Sequence, residues 1–84
     1  MSYAPEQTVS DAMTDFLSSA PSLSEIVAYR LPSELQQRAH LLLDKNREGS
    51  LSDIERVEME EFRQVDHFMT LIKAKARLKL KDQL

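Results

Sequence analysis

The sequence contains no cysteine and only one glycine among its 84 residues. The lack of cysteine excludes disulfides, cysteine-based zinc sites and thiol catalysis, and a single glycine cannot build a glycine-rich phosphate loop. The longest uninterrupted apolar run is the four residues 26–29, which is far too short to span a membrane. The first residues carry no basic group followed by an apolar stretch, so we expect no secretory signal and a cytoplasmic protein.

Charge is close to balanced overall but is unevenly distributed along the chain. The composition of 42% hydrophobic and 30% charged residues is typical of a folded globular protein. The last twelve residues hold five basic and one acidic side chain, a net +4, whereas the first 72 hold six basic and thirteen acidic, a net −7. This separation indicates an electrostatic contact with nucleic acid, an acidic partner, or the acidic part of a second copy.

Every strong periodic pattern in the sequence is helical, so we predict an all-α fold. The first face is formed by Val9, Ala12, Met13, Phe16 and Leu17. Their spacing is that of one side of a helix of about three turns. A proline at position 21 ends this helix, because the residue before proline is disfavoured in the helical conformation.

Two capping boxes predict where later helices begin. Ser22 with Glu25 starts a short helix that reaches about residue 30, and Ser52 with Glu55 starts a long one. In each box the serine side chain accepts from the backbone three residues on, and the glutamate reaches back to the serine. The long helix meets no breaker before about residue 79.

The third helix lies between these two. Pro32 suits a first helical position, and Gly49 can adopt the left-handed conformation that ends a helix at about residue 48. We therefore predict a helical hairpin with a long C-terminal helix, preceded by two short helices. In domain terms, residues 1–21 form a mobile N-terminal segment with one amphipathic helix, and residues 22–84 form the hairpin domain.

The turn of the hairpin also matches the calcium loop of an EF-hand at most positions. The candidate ligands are Asp44, Asn46, Glu48, Ser50, Ser52 and Glu55. Such a set would offer the oxygen ligands that calcium prefers, but Lys45, Arg47 and Arg56 place three cations beside the proposed ion. A helix C-cap followed by a helix N-cap explains the same residues without metal. We favour the capped turn and predict no cofactor.

Three segments carry a resemblance to known proteins. They are a leucine-rich helix start at 31–37, a segment at 44–52 with a Lys-Asn-Arg-Glu-Gly turn, and a segment at 70–78 that contains the sequence Leu-Ile-Lys-Ala-Lys-Ala. Over residues 31–80 the chain resembles a group of small helical proteins from cyanobacteria and other bacteria. Some of these look like antitoxins encoded beside a nuclease-type partner. The resemblance implies partner binding and no catalytic residue.

Two main classes of function follow. The first is a protein-interaction module, antitoxin-like, that masks a toxin or nuclease partner, with Met13, Phe16 and Leu17 as anchors in a partner groove. The second is a nucleic-acid-binding regulator that uses the basic residues 73–81, although no aromatic side chain is interleaved for base stacking. A single EF-hand-like calcium-binding protein is the third alternative. We predict no enzymatic activity, since no nucleophile has an assigned base.

Heptad sampling of the long helix predicts an antiparallel homodimer. The sampled positions are Ile54, Glu58, Glu61, Val65, Phe68, Ile72, Lys75 and Lys79. Acids occupy one end, apolar residues the middle and lysines the other end, so a reversed second copy would bring opposite charges together. In the alternative the stripe stays within the chain, and Arg38 or Lys45 meets the glutamates.

Overall fold

A computed structural model of the chain describes residues 7–83, and within that range it contains four α-helices and no strand. Helix α1 spans Val9–Ser18, α2 spans Leu23–Ala28, α3 spans Ser33–Glu48 and α4 spans Asp53–Asp82. The all-α prediction and the long C-terminal helix are confirmed. Residues 1–6 of the predicted N-terminal segment and residue 84 of the predicted hairpin domain lie outside the described residues.

Both predicted capping boxes are present. The Ser22 hydroxyl accepts from the Glu25 backbone N–H at 3.1 Å, and the Glu25 carboxylate accepts from the Ser22 N–H at 3.1 Å. Ser52 and Glu55 repeat the arrangement at 3.1 and 2.9 Å. A third cap, in which the Thr8 hydroxyl accepts from the backbone of α1, was not predicted from the sequence. These side chains satisfy backbone donors that a helix start leaves unpaired.

Two helix bounds differ from the sequence prediction. Helix α2 ends at Ala28 rather than near residue 30, because the chain is already extended at Tyr29 (ψ 135°) and at Pro32 (ψ 147°). Helix α4 runs three residues past 79, to Asp82. Lys79 and Lys81 lie in its last turn, where positive charge is favourable near the carbonyl end of a helix.

Helix α4 is the common partner of the other three helices. With 30 residues it is about 45 Å long, whereas the 16 residues of α3 reach about 24 Å. Helices α2 and α1 also pack against α4. Lys73 Nζ of α4 donates to the Tyr29 carbonyl at 2.6 Å. Among residues 7–83, no helix combines the length and the apolar character needed to cross a membrane.

The principal hydrophobic cluster joins α1 to the middle of α4. Its buried members are Val9, Val65 and Met69. Around them pack the half-buried side chains of Met13, Phe16, Tyr29, Leu31 and Phe62. The rings of Phe16 and Tyr29 stack with their centroids 4.0 Å apart and their planes at 24°, which adds a contact between α1 and the segment after α2.

The first turns of α4 do not point their apolar side chains toward the other helices. Glu55, Val65, Met69 and Ala76 are buried, whereas Ile54 is 81% exposed and Val57 71% exposed. Both of these apolar side chains therefore face solvent at the start of α4. The reason is electrostatic, since the first turns of α4 face α3 through carboxylates that pair with cations of α3.

Candidate functional site

Charged pairs between α3 and α4 fix the geometry near the turn. Arg38 donates from Nε and Nη2 to the two carboxylate oxygens of Glu58, each at 2.7 Å. Lys45 Nζ donates to Glu55 at 2.6 Å. Arg38 is 8% exposed, so its charge needs this bidentate partner. The hydrogen bonds that Arg38 donates to the Glu58 carboxylate raise the pKa of its guanidinium.

A groove lies between α3 and α4, and we call it the α3–α4 groove. It has a volume of about 530 Å³. Its apolar lining includes Leu42, Leu43, Met59, Phe62, Val65 and Met69. Leu42 is the most deeply buried large side chain among the described residues, whereas Leu43 is 42% exposed at the edge. The groove therefore has an apolar lining that is buried at Leu42 and open to solvent at Leu43.

Charged side chains border the groove. Arg30, Arg63, Asp66 and Lys73 contribute to its lining. Arg63 is largely exposed, with Nη1 3.8 Å from Glu60, and Lys73 is already engaged with the Tyr29 carbonyl. The border thus carries more positive than negative charge.

A second apolar surface lies on another side of α4, and we call it the outer stripe. It consists of Ile54, Val57, Phe68, Leu71 and Leu78, which are 81%, 71%, 44%, 52% and 62% exposed. At 3.6 residues per turn these five side chains fall within an arc of about 120°. That arc is rotated by about 120° from the buried residues of α4. Glu61, Gln64 and Lys75 occupy the remaining positions of the same row.

The predicted partner anchors lie within the fold. Met13 and Phe16 pack against the principal cluster, and Leu17 is half-buried. A partner that used these side chains would have to lift α1 from α4. Their role as anchors remains a prediction.

The predicted dimer seam is divided between two faces of α4. Val65 is buried and Ile72 half-buried, whereas Phe68, Lys75 and Lys79 are exposed. Glu58 pairs with Arg38, as the alternative within one chain proposed. Glu61 accepts from the Ser10 backbone N–H at 3.3 Å. The heptad sampling stepped from Ile54 first by four residues and then by three. Sampling that stepped first by three residues and then by four would have found the outer stripe in the sequence.

The proposed calcium ligands are placed as parts of two capped helices. Asp44, Asn46 and Glu48 belong to α3, and Asn46 also accepts the Gly49 N–H through its carbonyl. Of the remaining candidates, Ser50 and Ser52 lie in the turn, and Glu55 binds both Lys45 and the Ser52 N–H. Within residues 7–83 no group of three acidic or histidine side chains is arranged to hold a metal ion.

The basic residues 73–81 do not form one row. Lys73 is half-buried against Tyr29, and the other four cations are exposed. Successive odd positions on a helix are 200° apart, so these cations surround the axis. This arrangement provides positive charge without a groove or an aromatic platform for bases.

Comparisons of this chain with protein-family models, curated proteins and solved structures find no match. The antitoxin-like resemblance therefore remains a prediction from the three sequence segments that carry it.

Proposed function

We propose that the protein is a small protein-interaction module, in which α3 and α4 act as a helical hairpin that binds an amphipathic helix of a partner protein. The observation that carries this proposal is the α3–α4 groove, with its apolar floor and a volume of about 530 Å³. An apolar groove between helices is a common docking site for an amphipathic helix.

The length and lining of the groove suit a helix. Its residues on α4 extend from Met59 to Lys73, a distance of about 21 Å at 1.5 Å per residue. A partner helix of four turns has about the same length, and its residues at i, i+3 or i+4, and i+7 would reach the floor. Leu43, at the edge of the groove, would pack against the side of the bound helix.

The charges of the border favour an acidic partner helix. Arg30 and Arg63 border the groove and are exposed, whereas Asp66 is the acidic side chain in its lining. Carboxylates flanking the apolar face of the partner would meet the arginines, which bind carboxylates well because of their planar donor geometry. The sequence resemblance supplies the class of partner, a toxin or nuclease that the protein would mask.

A titration with two synthetic helical peptides tests the groove. Both peptides are about 16 residues long and share one leucine face, while one carries glutamates and the other lysines beside that face. We expect the acidic peptide to shift the NMR signals of Leu42, Met59 and Met69, and to bind about tenfold more tightly than the basic one. Peptide binding without shifts in the groove, or no binding by either peptide, would contradict the proposal.

Two leucines of similar exposure provide matched variants. Leu43→Asp places a carboxylate at the edge of the groove and should abolish binding of the acidic peptide. Leu71→Asp makes the same change on the outer stripe and should leave peptide binding unchanged. The class of partner is tested separately, by purifying the protein with the product of an adjacent toxin or nuclease reading frame and repeating the purification with Leu43→Asp.

The alternative functions have separate tests. Binding of a DNA or RNA duplex through residues 73–81 should weaken steeply as salt is raised, whereas docking in an apolar groove should change little. Calcium binding to the turn would raise the melting temperature, and a chelator would lower it again.

A further inference from the structure

We propose that the outer stripe pairs with the outer stripe of a second copy, so that the protein forms an antiparallel homodimer through α4. This inference is independent of the α3–α4 groove, which lies on another side of the helix. It shares Ile54, Glu61, Phe68 and Lys75 with the heptad row predicted from the sequence. Val57, Leu71 and Leu78 take the place of Glu58, Ile72 and Lys79 in that row, and Gln64 takes the place of Val65, since Val65 and Glu58 are engaged within the chain.

The outer stripe exposes a large apolar surface along α4. Its five large side chains are each at least 44% exposed and lie in one row from residue 54 to residue 78, about 36 Å along α4. A row of this kind exposes on the order of several hundred Å² of apolar surface, which is the size of the largest apolar patches on monomeric proteins, and these are often functional. With Glu61, Gln64 and Lys75 at the intervening positions, the row alternates steps of three and four residues, which is the spacing of a helix–helix seam.

The charges beside the stripe select a second copy and an antiparallel orientation. Asp53, Glu60 and Glu61 lie toward the N-terminal end of α4, and Lys75 and Lys79 toward its C-terminal end. A parallel pair would place acids beside acids and lysines beside lysines. An antiparallel pair brings each acidic end to a basic end at both ends of the seam, because a two-fold axis repeats every contact.

One register places all five apolar side chains inside the overlap. In it Ile54 packs against Leu78 of the second copy, and Gln64 lies opposite Phe68. Lys75 lies opposite Val57 and one turn from Glu61, so its stem covers the valine while its ammonium reaches the carboxylate. Asp53 lies opposite Lys79. Asp82 extends beyond the overlap and does not oppose an acid.

Sedimentation equilibrium of the full chain tests the dimer. The wild-type protein should sediment as a dimer at about 100 μM, and Leu71→Asp should sediment as a monomer with unchanged helical content. Leu43→Asp, the matched change in the groove, should remain a dimer. A wild-type monomer at about 100 μM, or dissociation by both variants alike, would overturn the inference.

Cysteine cross-linking tests the orientation, and the absence of native cysteine leaves no competing thiol. Ile54→Cys and Leu78→Cys proteins are mixed and oxidised. We expect disulfides between the two different variants and none within either alone, because like positions are about 36 Å apart in the antiparallel pair. Disulfides formed within each variant alone would show a parallel pair instead and overturn the proposed orientation.

A charge exchange tests the complementarity directly. Lys75→Glu with Lys79→Glu should weaken self-association, and so should Glu60→Lys with Glu61→Lys. A mixture of the two double variants should form a heterodimer, since opposite charges meet again at both ends. Self-association that is unaffected by either double variant, or a mixture that does not associate, would contradict the charge pairing. Peptide binding in the groove is measured in the same variants, so failure of the dimer and failure of the proposed function are distinguishable.

Discussion

At the scale of single residues, Gly49 determines how the chain leaves α3. It has φ 71° and ψ 24°, and a Cβ built on it would meet no atom within 4 Å. Gly49→Val should therefore destabilise the fold by about 1–2 kcal/mol through backbone strain alone. Urea unfolding measures the loss, and Gly49→Asn should lose less because asparagine tolerates this conformation better. Equal stability of the valine variant would show that the left-handed turn is not required.

Glu55 makes the stability of the fold depend on pH. Its pKa is about 2, below the ordinary 4.5, because Lys45 donates to the carboxylate and the Ser52 backbone N–H does likewise. Since the pKa is higher in the unfolded chain, the stabilisation is fully present above about pH 4.5 and is lost as the pH falls toward 2. Glu55→Gln keeps an oxygen for Ser52 but takes up no proton.

The difference in unfolding free energy between the wild type and Glu55→Gln separates the contribution of the Glu55 carboxylate from that of the other carboxylates. It should be largest above pH 4.5 and shrink as the pH falls toward 2. Urea unfolding at several pH values measures it. A difference that stays constant across this range would contradict the pairing with Lys45.

At the scale of elements, the sequence predicted the helices better than the faces they bury. Caps and breakers are local, so Ser22, Ser52 and Gly49 gave helix ends that the structure confirms. The orientation of α4 depends on a contact between helices. Ile54 and Val57 are exposed at its start, because pairs such as Arg38 with Glu58 turn carboxylates toward α3 instead.

Helix α1 should open more readily than the middle of α4. It has only ten residues, and its contact with α4 is supplemented by the stacking of Phe16 on Tyr29. Phe16→Ala should cost about 1–2 kcal/mol of local stability and speed amide exchange in α1, while residues 65–72 stay protected. Phe16→Leu, which keeps apolar volume, should have a smaller effect. Protection of α1 equal to that of residues 65–72 would show that it opens only with the whole core.

At the scale of the whole molecule, the core is thin. The Cα radius of gyration is 14.9 Å, with extents of 49 × 23 × 17 Å, whereas a compact chain of this length would have a radius of about 12 Å. The sequence anticipated this, because its length allows only a small core and α4 exceeds α3. It could not identify the two apolar surfaces that remain, since the α3–α4 groove and the outer stripe depend on how the helices are rotated.

If the folded protein gains stability from a second copy, its melting temperature depends on the protein concentration. Dimer formation through the outer stripe stabilises only the folded state, so mass action should raise the melting temperature by roughly 3–5 °C for each tenfold increase in protein. Circular dichroism melts from about 5 to about 500 μM measure this shift. Leu43→Asp should show the same slope as the wild type, because its substitution lies in the groove. Leu71→Asp should melt at a lower temperature with no slope, since a carboxylate in the seam prevents pairing. A wild-type melting temperature that is independent of concentration would mean that the outer stripe adds nothing to the stability of the fold.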